Sequence, residues 1–489
     1  MGHSNLKDHD FKKGKFITPF NSIHGLNTEV SWFHERLPEY LWLGLIIHAH
    51  GRQQGLAEGK YIIDQLINLI PKLKAPRLSD VFNLSENLQY EYFSFVAEHI
   101  GTTVLAPLTV IFPYIYNRPF SITFNVPGLS TQERLATINE VLKKTSGHQE
   151  HLSTDIRFLV IYPLIATGQL RFTEETSHSM ELIKQYPILS HDNEIMRMAR
   201  PAVRSLELVT ISALDSDIHN QRYLDYFWEG VSKMTECDTF YLEFDEPDLV
   251  TEDFCQKIKD ILDYYVGIFS SIKSTDIKMI TLLGIATYSY KLVMEIFDNR
   301  LTNSILGRMA SRVIIENYIE MKYLLKHESE HEDIWIDYQY YGIGQYKLIN
   351  KRYDEKSKQS KEKLDTQFPQ KLIEILVNEY RDEEFIDMDT SYFDRTSIRD
   401  KAIDVDEREL FGLLYDYDSA YMHGLWGAIR ESSLLKCNSP GHHFHCVPDI
   451  ECIQNLTSVW EDCKNTMKKM LLTLKSVYGL PEHFEIEDL

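Results

Sequence analysis

The chain has 489 residues and a formal net charge of −22, from 51 Lys and Arg against 73 Asp and Glu. A surface of that sign repels phosphates, which excludes nonspecific nucleic-acid binding over most of it and leaves room only for a local basic groove. The 43% of hydrophobic residues exclude a disordered chain, and only 22 Gly and 16 Pro favour long regular elements over many turns.

The opening MGHSNLKDHDFKKGK is polar and lacks the apolar core of a signal peptide, so residues 1–20 read as a flexible arm. Gly2 follows Met1, but Leu6 stands where a myristoylation signal wants Ser or Thr. An amino-terminal helical domain is expected over 21–270. Within it LPEYLWLGLIIHAHGRQQGLAEGKYIIDQLINLI predicts two helices, with Pro38 at the start of the first and Gly51 and Gly55 near the break. Helical spacing continues at 87–100, 131–144, 155–168, 178–186, 202–215, 222–235 and 251–271. Pro107, Pro113, Pro119 and Pro127 mark an irregular connection between the first two of these.

SSIKSTD, at 270–276, reads as a domain junction. Beyond it, helices are expected at 276–298, 301–327, 332–360, 368–380, 406–435 and 450–478, and residues 275–480 form a second helical domain. The acidic stretch 381–407 reads as a loop and 481–489 as an acidic tail. Strand-like alternation is too rare for a sheet of any size, so the expected class is all-α. No apolar run reaches membrane-spanning length: Pro107 and Pro113 break VLAPLTVIFPYIY, and Lys278 and Lys291 interrupt IKMITLLGIATYSYKLVMEIF. A cytoplasmic protein with no membrane partner is the expectation. Lys347, Lys351, Arg352, Lys356, Lys358, Lys361 and Lys363 form a basic cluster that reads first as a solvated helix face.

In KHESEHEDIW, His327, Glu328 and His331 spell the H-E-x-x-H of zinc peptidases. Such a motif needs both imidazoles on one half-buried helix face, a glutamate base and a further ligand, for which Glu379 is the best candidate. Here Ser329 and Glu330 fill the variable places and Lys326, Glu332 and Asp333 flank them, so a solvated helix end is expected, with a zinc-dependent hydrolase as the alternative. His48 and His50, beside Arg52, do not share a helix face and read as core or boundary histidines.

The six cysteines, Cys237, Cys255, Cys437, Cys446, Cys452 and Cys463, are too scattered for a disulfide scaffold. KCNSPGHHFHCVPDIEC gathers Cys437, His442, His443, His445, Cys446 and Cys452, but without a C-x-x-C pair. A His-rich loop packed on the preceding helix is the first reading and a structural metal the second. No cofactor is implied.

Two helices of the second half hold polar residues among apolar ones. In LGRMASRVIIENYIEMKYLL, Arg312 and Glu316 sit one turn apart, and in LFGLLYDYDSAYMHGLWGAIRESSLL the residues Tyr415, Ser419 and His423 share a stripe, followed by Trp426 and Arg430. Unpaired, such groups would each cost roughly 1–3 kcal/mol on burial, so they need partners. One reading is a buried network that only fixes helix packing.

This Arg-x-x-x-Glu, aromatic helix and Ser-x-x-x-His pattern resembles a bacterial helical family of unknown function whose fold looks like the HEPN-like helical bundles, over roughly 275–480. LPEYLWLGLIIHAHGR looks like the companion region of longer members. The resemblance places the marked positions on Arg312, Glu316, Tyr338, Ser419 and His423. HEPN proteins are often metal-independent ribonucleases of toxin–antitoxin and antiphage systems with an Arg-x4–6-His motif. The resemblance therefore implies a bacterial defence or stress protein acting on RNA. His423 would move the ribose 2′-hydroxyl proton, Arg312 would hold the phosphate, Glu316 would orient Arg312, and Ser419 would fix the imidazole or bind substrate. RNA, a partner or antitoxin protein and a second copy of the chain are the partners it suggests. The sequence departs from that motif, because Asp416, Tyr417 and Asp418 stand where the arginine would be. A non-catalytic interaction module is the alternative.

Overall fold

The computed structural model describes residues 7, 9–17, 31–170, 177–213, 220–244, 252–272, 275–359, 369–378, 394–484 and 486. Lys361, Lys363, Glu379, residues 381–393 of the acidic stretch, and parts of the 1–20 arm and the 481–489 tail lie outside them. About 70% of the chain is helical, and the class is all-α. Strands among the described residues run for only two to four residues. One of their pairs falls in the expected arm: Asp10–Lys12 pairs antiparallel with Lys15–Ile17 across Lys13 and Gly14, both at positive φ.

Two compact units divide the chain. Met1–Phe240 joins Lys436–Val447 in the first, and Tyr241–Leu435 joins Pro448–Leu489 in the second. The division falls before the helix Glu252–Ile272 rather than at 270–276. That helix buries Phe254, Ile258, Ile261, Leu262 and Tyr265 in the second unit's core, where Phe254 meets Trp460 edge-on.

In the first unit the helix Leu37–His50 is apolar on nearly every side, which suits only a fully surrounded element, and residues from Leu37 to Ile47 are all buried. Gly51, at φ 77°, ends it as the sequence predicts and opens the helix Arg52–Leu69. Gly59 lets that helix approach His151–Ala166, since an added Cβ would sit 2.5 Å from Leu159. Ser130 and Glu133 close a reciprocal cap on Thr131–Thr145. Charge is buried here too: Arg36 holds Glu207 at 2.6 Å, Arg157 lies 3.6 Å from it, and both guanidinium groups face the Trp32 ring. His48 lies 3.6 Å from Glu140, His50 meets the Ile100 carbonyl, and Arg52 holds Asp155 at 2.9 Å. They are boundary residues.

In the second unit Glu252–Ile272, Ile277–Asp298, Ile305–His327 and Trp460–Tyr478 share a core that includes Leu282, Val293, Ile314, Met321, Met467 and Leu471. Among the described residues, Ile277–Asp298 is the one single helix long and apolar enough to cross a membrane by length and composition. Its Met279, Leu282, Ala286, Val293 and Ile296 are buried in this core. Two predicted helices are cut. The 406–435 run divides into Arg408–Leu410, a wide turn Phe411–Tyr415, Asp416–Met422 and Trp426–Ser432, with Gly424 at φ 57° in the gap. The 450–478 run becomes helical only at Trp460, because Leu456 and Val459 first bond the carbonyls of Asn303 and Thr302.

Candidate functional site

The helix Ile305–His327 is capped by Ser304, whose hydroxyl accepts from Gly307 N–H at 3.0 Å. One face, Ile315, Ile319 and Tyr323, packs on Ala402, Val405, Phe411 and Tyr415. Alongside runs a polar stripe with a residue at every fourth position: Arg308, Arg312, Glu316 and Glu320. Each reaches a partner on the segment 401–419.

Arg308 is buried and donates from Nη1 to Asp418 Oδ1 at 3.2 Å and from Nη2 to the Thr457 carbonyl at 2.8 Å, with its guanidinium over the Tyr417 ring. Burial lifts the Asp418 carboxyl to about 6 despite Arg308 pulling the other way. One turn on, Arg312 donates from Nε to Ser419 Oγ at 3.0 Å and from Nη2 to Tyr415 Oη at 2.5 Å, and its Nη1 lies 2.9 Å from Glu316 Oε2. Its guanidinium also covers the Tyr415 ring, 4.6 Å from the centroid. Burial, aided by the Glu316 carboxylate, raises the Tyr415 phenol, which keeps its proton and donates to Glu316. Further along, the buried Lys401 ammonium holds both oxygens of Glu320 at 2.7 and 2.9 Å. Burial, then Glu320 and Glu316, push the Tyr338 phenol up to about 12, which puts Tyr338 near the same carboxylates.

Arg312, Glu316 and Ser419 thus meet, and Tyr338 approaches them. His423 stands apart. It ends the helix Asp416–Met422, its N–H bonds the Ser419 carbonyl at 3.1 Å, and its imidazole is exposed with no hydrogen bond among the described residues. Ser419 therefore positions Arg312 rather than the imidazole. Arg308, Asp418 and Tyr415 are the members that the sequence reading did not place in the site. Asp418 fills one of the positions that broke the Arg-x4–6-His pattern, and its charge is matched by Arg308 instead. The four-residue repeat from Arg308 to Glu320 was the available signal.

The H-E-x-x-H residues do not converge. The helix ends at His327, so His331 lies beyond it. His327 bonds Asp404 at 2.8 Å and Glu330 at 3.1 Å, His331 bonds Asp337 at 2.8 Å, and Glu328 accepts from Lys278 and Trp335. Hydrogen bonding to Asp404 raises the His327 imidazole. In the first unit, Cys437, His442 and His445 do converge, but on Cys237 rather than on Cys446 or Cys452.

No curated protein matches the chain, and no solved structure does. Residues 279–442, a stretch containing Arg312, Glu316, Tyr338, Ser419 and His423, match the model of a family of unknown function, DUF5677.

Proposed function

We propose that the second unit is the working part of a bacterial defence or stress protein and cleaves RNA without a metal. His423 transfers the proton and Arg312 holds the phosphate. The observation that carries this reading is the condition of Arg312. Its three side-chain partners fix its plane, they leave guanidinium N–H groups over, and its side chain is 16% exposed. A pre-set guanidinium with unused donors suits a phosphate oxygen, and an exposed imidazole one turn beyond Ser419 is open to a substrate hydroxyl. In the step this implies, His423 takes the 2′-hydroxyl proton, O2′ attacks phosphorus, the P–O5′ bond breaks, and O5′ takes a proton from water. The products carry 2′,3′-cyclic phosphate and 5′-hydroxyl ends. The sequence resemblance adds a partner or antitoxin protein that would hold such an activity in check.

A second reading, a non-catalytic interaction module, is favoured by the paired state of the stripe, since Arg308–Asp418 and Lys401–Glu320 need no substrate to be satisfied. Incubating the full chain with total RNA or tRNA in buffer without added metal ions separates the two. Cleavage by wild type that is lost in His423→Ala supports the nuclease. RNA left equally intact by both leaves the interaction module.

A further inference from the structure

Four ligand atoms from distant parts of the sequence meet in the first unit. The Sγ atoms of Cys237 and Cys437 and one ring nitrogen each of His442 and His445 all lie within 4.8 Å of one another. Cys237 Sγ is 3.3 Å from His442 Nδ1 and 3.3 Å from His445 Nε2, and Cys437 Sγ is 3.9 Å from His442 Nδ1. A tetrahedral zinc ion with usual Zn–S and Zn–N lengths has ligand-to-ligand edges of about 3.3–3.8 Å, so the two 3.3 Å separations match such a site and the 3.9 Å one lies just above it. The His442 and His445 rings stand at 86° to each other and do not stack.

The surrounding chain holds the ligands in this arrangement. Cys237 lies just past the helix Gln221–Met234, and Thr239 and Phe240 pair antiparallel with Cys437 and Lys436. Asn438 N–H adds a bond to the Asp238 carbonyl at 2.7 Å. Gly441 then presses onto the preceding helix, where an added Cβ would lie 2.8 Å from Val231 and 3.0 Å from Thr235. Left-handed conformations at His443 and Phe444 turn the chain back, and the loop closes through Cys437 N–H to the His445 carbonyl at 2.9 Å. His442 Nε2 is 2.8 Å from the Thr235 carbonyl and 3.2 Å from that of Ser232. Carbonyls only accept, so Nε2 carries the proton and Nδ1 presents its lone pair to the two sulfurs. This is how a backbone acceptor fixes the tautomer of a metal-bound histidine.

We infer that Cys237, Cys437, His442 and His445 bind one zinc ion as a structural site. Two thiolates cancel the ion's charge, and four protein ligands leave no position for a catalytic water. The ion ties residues 436–447 to the end of Gln221–Met234 and so fastens a late segment of the chain into the first unit. His443 stays outside the ligand set, held by His34 at 3.1 Å and packed on Trp228.

The test is metal analysis of the full chain purified under reducing conditions, followed by anaerobic replacement with cobalt(II). About one zinc per chain is expected, with the visible bands of a tetrahedral thiolate–cobalt centre after exchange. Cys237→Ser and His445→Ala, both at exposed positions, lose the metal and the bands, whereas Cys446→Ser and Cys452→Ser retain them. Three results would each overturn the inference. One is zinc below about a tenth per chain even after reconstitution. The others are wild-type metal content in Cys237→Ser and His445→Ala, or a Cys237–Cys437 disulfide in the purified protein.

Discussion

Arg312 Nε donates to Ser419 Oγ at 3.0 Å, while the imidazole of His423, one turn beyond that serine, is exposed. The two residues proposed to share one reaction therefore have different structural burdens. Arg312→Ala strips the partners from Ser419, Tyr415 and Glu316 and is expected to lower unfolding free energy by about 1–3 kcal/mol. His423→Ala is expected to stay within about 0.5 kcal/mol of wild type. Urea denaturation of both variants checks this, and a loss for His423→Ala as large as for Arg312→Ala would mean that the imidazole packs rather than reacts.

Arg308 and Asp418 are both buried, and their link ties the helix Asp416–Met422 to Ile305–His327. Asp418→Ala leaves the guanidinium without its nearest carboxylate, a loss of about 3–5 kcal/mol. Asp462, 3.9 Å away, moderates it. Replacing both partners, Arg308→Met with Asp418→Leu, is expected to recover most of the loss, because an apolar pair leaves no charge uncompensated. Thermal unfolding of the single and double variants decides between a charge effect and a shape effect.

Glu39 in the first unit accepts from Ser79 N–H at 3.0 Å, yet burial raises its carboxyl to about 7. The folded chain therefore binds the Glu39 proton more tightly than the unfolded chain does. Its contribution to stability is greatest below pH about 4.5 and falls as pH rises towards about 7, a change on the order of 3 kcal/mol. Glu39→Gln removes this dependence. The variant should gain melting temperature relative to wild type between pH 5 and pH 8, and a constant difference across that range would contradict the assignment.

Gly441 has no room for a side chain against Val231 and Thr235. Gly441→Ala is expected to cost about 1–3 kcal/mol through overpacking and to speed zinc loss to a chelator by moving His442. Unchanged stability and unchanged metal retention would show that the loop yields freely.

Local chemistry wrote much of the fold into the sequence. Pro38 and Gly51 bracket the first long helix, and the apolar period gives Thr131–Thr145 and Ile277–Asp298 nearly to the residue. What escaped depended on distant partners or on one backbone angle. Gly424 at φ 57° breaks a run whose apolar spacing reads as continuous, and Lys13–Gly14 turns a strand pair inside a stretch read as an arm. Of the candidate site, Arg312, Glu316 and Ser419 were legible because their spacing is helical. Asp418 read as an obstacle only because Arg308, 110 positions away, could not be matched to it. Cys237 was invisible for the same reason, being 205 positions from His442.

The central claim, that His423 moves a proton during RNA cleavage, is tested most directly by the ends of the products. With tRNA and the full chain in buffer without added metal ions, the account predicts fragments bearing 2′,3′-cyclic phosphate and 5′-hydroxyl ends, absent with folded His423→Ala. Intact tRNA with both proteins, or the same ends in the same yield from both, would contradict it.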